Sequence, residues 1–154
     1  MRKLVITLGV LWGFMMIRKY LLTSNTNEID LLARTIWGEA RGEGVDGMKA
    51  IANVIMNRVK KGGWWGSTVA DVVLFPKQFS CWNENDVNYI ATKNVTEDDD
   101  DFYWLKNIIA PKAISGNLPD NTDGATHYHA VYVKPSWVKS MKQTATIGNH
   151  IFYK

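Results

Sequence analysis

The chain has 154 residues, 46% apolar and 21% charged, with seven Trp and a single Cys. That is enough for one folded domain with its own core. A net charge of +3 spread without a dense Lys/Arg run lacks the basic stripe of a nucleic-acid partner, and the lone Cys81 leaves no internal disulfide to form.

Residues 4–17 (LVITLGVLWGFMMI) carry no charge and lie between Arg2-Lys3 and Arg18-Lys19. Such a helix would be about 21 Å long, short of the ~30 Å hydrocarbon layer, unless the two cations snorkel and extend the span to Leu22. No small-residue cleavage site follows. Residues 1–22 are therefore expected to be an uncleaved signal-anchor. Cations on both flanks leave its orientation open; with Arg2 and Lys3 inside, the rest of the chain lies outside the cytoplasm. A buried amphipathic helix is the alternative. Residues 23–28 read as a polar linker.

The first domain helix is predicted from Asn27, with Asn27 as N-cap and Asp30 at N3, and Ile29, Leu32, Ala33, Ile36, Trp37 and Ala40 form its apolar stripe. Gly42 and Gly44 end it. A second helix spans about Asp46 to Lys61, closed by Gly62-Gly63. A short third helix follows Thr68, paired with Asp71 in a capping box, and ends before Pro76. A fourth runs from about Asp98 to Ser115, opened by the acidic run 97–101 (EDDDD) and kinked or divided by Pro111. Two short strands are predicted at residues 126–133 and 147–153. The expected fold class is α+β, mainly α, with a small C-terminal sheet.

The chemistry starts from Glu39. On a helical wheel with Ile29 at zero, Leu32 falls at about 300°, Ile36 at about 340° and Glu39 at about 280°, the edge of the apolar stripe. A carboxyl at such a boundary is desolvated, and desolvation favours the protonated form that a general acid needs. The plainer alternative is a rim glutamate paired with Arg34 or Arg41. Glu43 follows Gly42 and is either a second carboxyl in the cleft or an anchor for its loop. Gln78, Phe79 and Ser80 follow the third helix and are read as substrate-binding, with the amide of Gln78 able to bind an N-acetyl group or the reacting sugar; the alternative is a polar loop with one buried Phe. Trp37, Trp64, Trp65 and Trp82 are candidates for stacking on sugar rings, and Trp82 is the one counted among the substrate-binding residues.

Three blocks carry a resemblance. Residues 33–59 read ARTIWGEARGEGVDGMKAIANVIMNRV, residues 69–80 VADVVLFPKQFS, and residues 122–154 TDGATHYHAVYVKPSWVKSMKQTATIGNHIFYK. Together, in order over residues 29–154, these resemble the SleB-like cell wall hydrolases, a group that includes spore cortex-lytic and phage wall-degrading enzymes. Asn121-Thr122-Asp123 departs from the D-P-T order usual in that group. The resemblance implies a lysozyme-like catalytic domain over 29–154, peptidoglycan as substrate, Glu39 as the catalytic acid and a cleft position for Tyr128. It also implies cleavage between N-acetylmuramic acid and N-acetylglucosamine with a 1,6-anhydro end, as lytic transglycosylases leave it. Hydrolysis by two carboxylates stays open. No cofactor is expected, and the protein should work as a monomer, membrane-anchored or exported, in the periplasm or cell wall.

Two rivals stand beside this. His127 and His129 share a strand face, and His150 lies on the neighbouring strand; three imidazoles could hold the zinc of an amidase. A membrane-tethered wall-binding module would keep the fold without needing Glu39.

Overall fold

The computed structural model describes residues 27–154, so the signal-anchor expected at 1–22 and most of the linker lie outside the described residues. Helix α1 is already formed at residue 27 and runs to residue 40. Asn27 is thus inside the helix and is not its N-cap. Asp30 is taken up by cations instead: Arg34 Nε at 2.7 Å, one turn on, and Lys106 Nζ at 3.3 Å.

Helix α2 (Gly44–Lys61) is the centre of the domain and begins two residues earlier than its pattern suggested. Its buried residues include Met48, Ile51, Ala52 and Ile55, and it packs on α3 (Val69–Val73) and α6 (Ala110–Ile114). With Leu32, Ala33 and Ile36 of α1, all fully buried, these helices form one core. The predicted capping box of α3 is present: Thr68 Oγ1 accepts from Asp71 N–H, and the Asp71 carboxylate accepts from Thr68 N–H.

Helix α4 (Tyr89–Asn94) was not anticipated, because its six residues carry only a weak apolar pattern. The expected fourth helix exists in three pieces: α5 (Asp100–Trp104), a π-helical segment (Leu105–Ile109) and α6. Pro111 has no N–H to give to the preceding turn, and the widened turn before it accommodates the ring without breaking the rod. Asp99, in the acidic run, caps α5 by accepting from Phe102 N–H and also receives Trp37 Nε1–H.

The sheet has three strands rather than two. Strands β1 (His127–Ala130), β2 (Gln143–Ile147) and β3 (His150–Tyr153) are antiparallel in the order β1-β3-β2. β2 escaped notice because its QTATI sequence carries little apolar alternation. Register pairs Tyr128 with Phe152 and His129 with Ile151. One face therefore presents Tyr128, His150 and Phe152, and the other His127, His129, Ile151 and Tyr153. Phe152 is fully buried against the helical core, so the Tyr128 face is the inner one.

Candidate active site

Glu39 sits in the last turn of α1, half-buried. Its two oxygens are held by donors from two other parts of the chain. Oε1 accepts the backbone N–H of Cys81 at 3.0 Å, and Oε2 accepts the Tyr128 hydroxyl at 3.1 Å. Arg34 and Arg41, the partners a rim glutamate would take, are engaged elsewhere. Arg34 donates to Asp30 and to the carbonyls of Thr92, Lys93 and Val95; Arg41 donates to Asn88 and lies over the Trp37 ring.

The local cause of the Cys81 contact is Gly38. A Cβ at that position would lie 2.6 Å from Cys81 Cβ and 2.6 Å from Thr92 Oγ1. The bare backbone lets the 3-10 turn Ser80–Trp82 dock directly on α1, which aims the Cys81 N–H at the carboxyl. The Cys81 side chain is fully buried. Its burial, with the negative charge of Glu39 beside it, pushes the thiol well above its ordinary range, so it is an inert packing group.

Tyr128 is positioned by β1 and stacks on Phe152 at 5.9 Å between ring centroids. Burial, then the charge of Glu39, pushes its phenol well above the usual value, so it stays a neutral O–H donor.

Arg58 is the residue that sequence reasoning passed over. It is 5% exposed on α2, with its guanidinium 4.4 Å from the Trp65 ring centroid and 5.2 Å from that of Phe79. Nε donates to the Thr126 carbonyl at 2.8 Å and Nη1 to Gln78 Oε1 at 3.3 Å. Burial, the largest effect, lowers its pKa to about 10, and it remains charged at neutral pH. One side chain thus ties α2, the loop after α3 and the entry to β1 together behind Glu39. A signal was available: in the last turn of α2, Arg58 continues the spacing of the buried Met48, Ile51 and Ile55, so it falls on the inner face.

The other candidates separate. Gln78 spends its carbonyl on Arg58. Phe79 is 1% exposed beneath Arg58 and holds the loop in place; it cannot offer a face to substrate. Ser80 is exposed. Trp82 is half-buried, donates Nε1–H to Thr35 Oγ1 at 3.0 Å, and lines a depression of ≈ 780 Å³ with Lys77, Asn83, Glu84 and Asn85. Trp37 and Trp65 belong to the core, whereas Trp64 is 62% exposed and stacked on Trp65 at 3.7 Å.

Glu43 anchors a loop. Its Oε2 accepts Asn149 N–H at 2.9 Å, its Oε1 accepts Asn149 Nδ2 at 3.3 Å, and His150 Nδ1 stands 3.8 Å away. The contact needs Gly148 in the β2–β3 turn: φ is +55°, and a Cβ there would lie 2.6 Å from Glu43 Oε2. The Asn149 N–H bond is the chief cause of a pKa held below the ordinary 4.5, outweighing desolvation. Because the folded value is the lower one, the stabilisation is complete above pH 4.5 and is lost as pH falls through the folded value. Glu43→Gln should therefore lower the melting temperature at pH 7 by about 4 °C, from about 1–2 kcal/mol of charge-assisted hydrogen bonding. In thermal melts followed by circular dichroism, the gap seen at pH 7 should close when the melts are repeated at an acid pH below the folded value. An equal deficit at both pH values would show that Glu43 acts through shape alone.

The three histidines do not converge. His127 and His129 lie on the outer face of the sheet, and His150 lies on the inner face, edge-on to Tyr128 at 5.3 Å. Among the described residues no three His, Cys, Asp or Glu side chains are placed to share a metal ion, so the geometry of the zinc amidase reading is missing.

A helical frame with one carboxyl held at the border of a small antiparallel sheet defines the lysozyme-like class. The chain belongs to the Cell Wall Hydrolase family, whose model matches residues 42–153. It is 32% identical over 131 residues to a spore cortex-lytic enzyme of Bacillus cereus, covering 83% of this chain and 44% of that protein. It is 30% identical over 132 residues to the corresponding enzyme of Oceanobacillus iheyensis, covering 83% and 42%. The chain thus spans less than half the length of these curated relatives. Among solved structures it resembles the catalytic domain of the germination-specific lytic transglycosylase SleB from Bacillus anthracis (TM-score 0.58, 30% identity, 83% of this chain and 94% of that one). The catalytic domain of Bacillus cereus SleB is similar to the same degree (TM-score 0.59, 31% identity, 83% and 90%).

Proposed function

We propose that the chain cleaves the glycan strands of bacterial peptidoglycan by lytic transglycosylation, with Glu39 as its single acid–base group. The observation that carries this reading is the clamp on Glu39: two donors from separate elements fix the carboxyl, while the neighbouring carboxyl of Glu43 is committed to Asn149. The description of the SleB domains as lytic transglycosylases and the name spore cortex-lytic enzyme support it.

The chemistry needs one carboxyl used twice. Glu39 gives its proton to the glycosidic oxygen as the bond to C1 of the muramic acid breaks and positive charge spreads over C1 and the ring oxygen. The resulting carboxylate then takes the proton of the sugar's own 6-hydroxyl, and O6 bonds to C1 to give the 1,6-anhydro ring. Water is not consumed. A hydrolase would instead need a second carboxyl at about 5–9.5 Å to act as nucleophile or to activate water. Tyr128 and the Cys81 N–H keep the carboxyl aimed through both steps, and their hydrogen bonds strengthen when it becomes charged. Trp82 and Trp64 offer apolar faces for sugar rings, Gln78 and Ser80 polar groups at the loop. Residues 1–22 tether the enzyme on the outer side of a membrane as a monomer, which places the cleft at the wall.

Mass spectrometry of digested peptidoglycan tests this directly. Fragments should end in 1,6-anhydromuramic acid. Reducing ends would make the enzyme a muramidase, and free stem peptides would make it an amidase.

A further inference from the structure

The loop after β1 exposes three consecutive large apolar residues: Val131 is 44% exposed, Tyr132 84% and Val133 43%. Val131 and Val133 line a groove of ≈ 570 Å³ together with Val138, Ile151, Lys134 and Lys139. Apolar walls and two cations therefore share one surface. The charge there is one-sided: residues 124–154 contain four Lys and not a single Asp or Glu. Among the described residues, no carboxylate lies within 4.0 Å of the Lys134 or Lys139 amine.

The groove also has a definite side. It is bounded by His129, Ile151 and Tyr153, the outer face of the sheet, whereas Tyr128 meets Glu39 from the inner face. Whatever covers the groove is separated from Glu39 by the thickness of the sheet.

We propose that this loop and groove dock the catalytic domain on an anionic lipid surface. Val131, Tyr132 and Val133 would enter the boundary between headgroups and acyl chains, with the Tyr132 hydroxyl at headgroup level. Lys134 and Lys139 would meet the phosphates, their stems lying along the apolar walls. A wall glycan or stem peptide is hydrated and presents no continuous apolar phase to receive a Val-Tyr-Val tip. A second copy of the chain would bring a second set of lysines against the first. A lipid surface satisfies both halves of the patch and lies on the side of the sheet opposite Glu39. The docking surface belongs to the folded domain and is independent of the apolar segment at residues 4–22.

The test uses the full chain carrying Tyr132→Cys with an environment-sensitive dye on the new thiol; Cys81 is fully buried and resists labelling. Because the probe sits in the loop, a vesicle held elsewhere on the chain does not move its emission. Vesicles containing phosphatidylglycerol should shift the emission to the blue, and pure phosphatidylcholine vesicles should do so far less. Adding Lys134→Glu and Lys139→Glu should weaken docking of the loop by about tenfold or more, read as the blue-shifted fraction of the dye at saturating phosphatidylglycerol vesicles, where residues 1–22 no longer limit binding. The same double variant should still cleave soluble glycan fragments at the original rate, which reports an intact fold. A dye that stays at its aqueous emission on phosphatidylglycerol vesicles overturns the proposal. So does a shift that survives the double charge reversal, or one produced by lipid-free sacculi. None of these outcomes depends on which bond Glu39 cleaves.

Discussion

Glu39→Gln should reduce turnover on peptidoglycan by about a thousandfold or more, the scale of a positioned general acid, while leaving the fold and wall binding in place. Glutamine matches the size of glutamic acid and keeps an oxygen for the Cys81 N–H, so the clamp at 3.0 Å can persist. What it cannot do is release a proton to the glycosidic oxygen or take one from the 6-hydroxyl. The measurement is anhydro-muropeptide release against sedimentation with sacculi. A wall-binding module would show the same sedimentation and no activity to lose. If the glutamine variant kept more than about a tenth of the rate, the general-acid assignment would be wrong.

Arg58→Met should be the most damaging single change away from the carboxyl. It removes the donor to the buried Thr126 carbonyl, releases Gln78, and takes the cation from between the Trp65 and Phe79 rings. An opposing effect exists, since methionine carries no charge to desolvate, and the lowering of the Arg58 pKa to about 10 shows that burial burdens the cation. The loss should win because the partners of Arg58 are neutral oxygens that stay behind, one of them a backbone carbonyl left without a donor. A net cost of about 2–3 kcal/mol corresponds to a fall in melting temperature of about 8 °C for a chain of this size. Turnover should fall as well, because Thr126 leads into the strand that carries Tyr128. Arg58→Lys keeps the charge without the planar fork and should recover only part of both losses. An unchanged melting temperature in Arg58→Met would reduce Arg58 to a bystander.

The first three helices were legible because each has a full apolar stripe or a chemical boundary. Leu32 and Ile36 repeat at helical spacing, Lys60-Lys61-Gly62 marks an end, and Thr68 with Asp71 marks a beginning. The elements that were missed are short and take their order from neighbours. α4 has six residues, and β2 pairs at a sheet edge through backbone groups that carry no side-chain signature. Asn27 and Asp30 look like a cap, but Asn27 is already helical, and Arg34 and Lys106 take up the Asp30 carboxylate. Beside Gln78 in the sequence, Phe79 looks like a cleft residue; its ring is covered by Arg58, a contact spanning 21 positions in the chain.

From the order of residues alone came the mainly helical domain with its small sheet, the family, and Glu39 at the edge of an apolar stripe. Periodicity and short motifs are local, and local spacing is what a helix or a capping box obeys. The folded chain decided how that carboxyl is held. Oε1 meets a backbone N–H 42 positions away and Oε2 a hydroxyl 89 positions away. It also decided that Glu43 serves the β2–β3 turn, and that His150 faces away from His127 and His129. These are meetings between distant segments, set by how helices and strands pack into one core, and no local pattern encodes them.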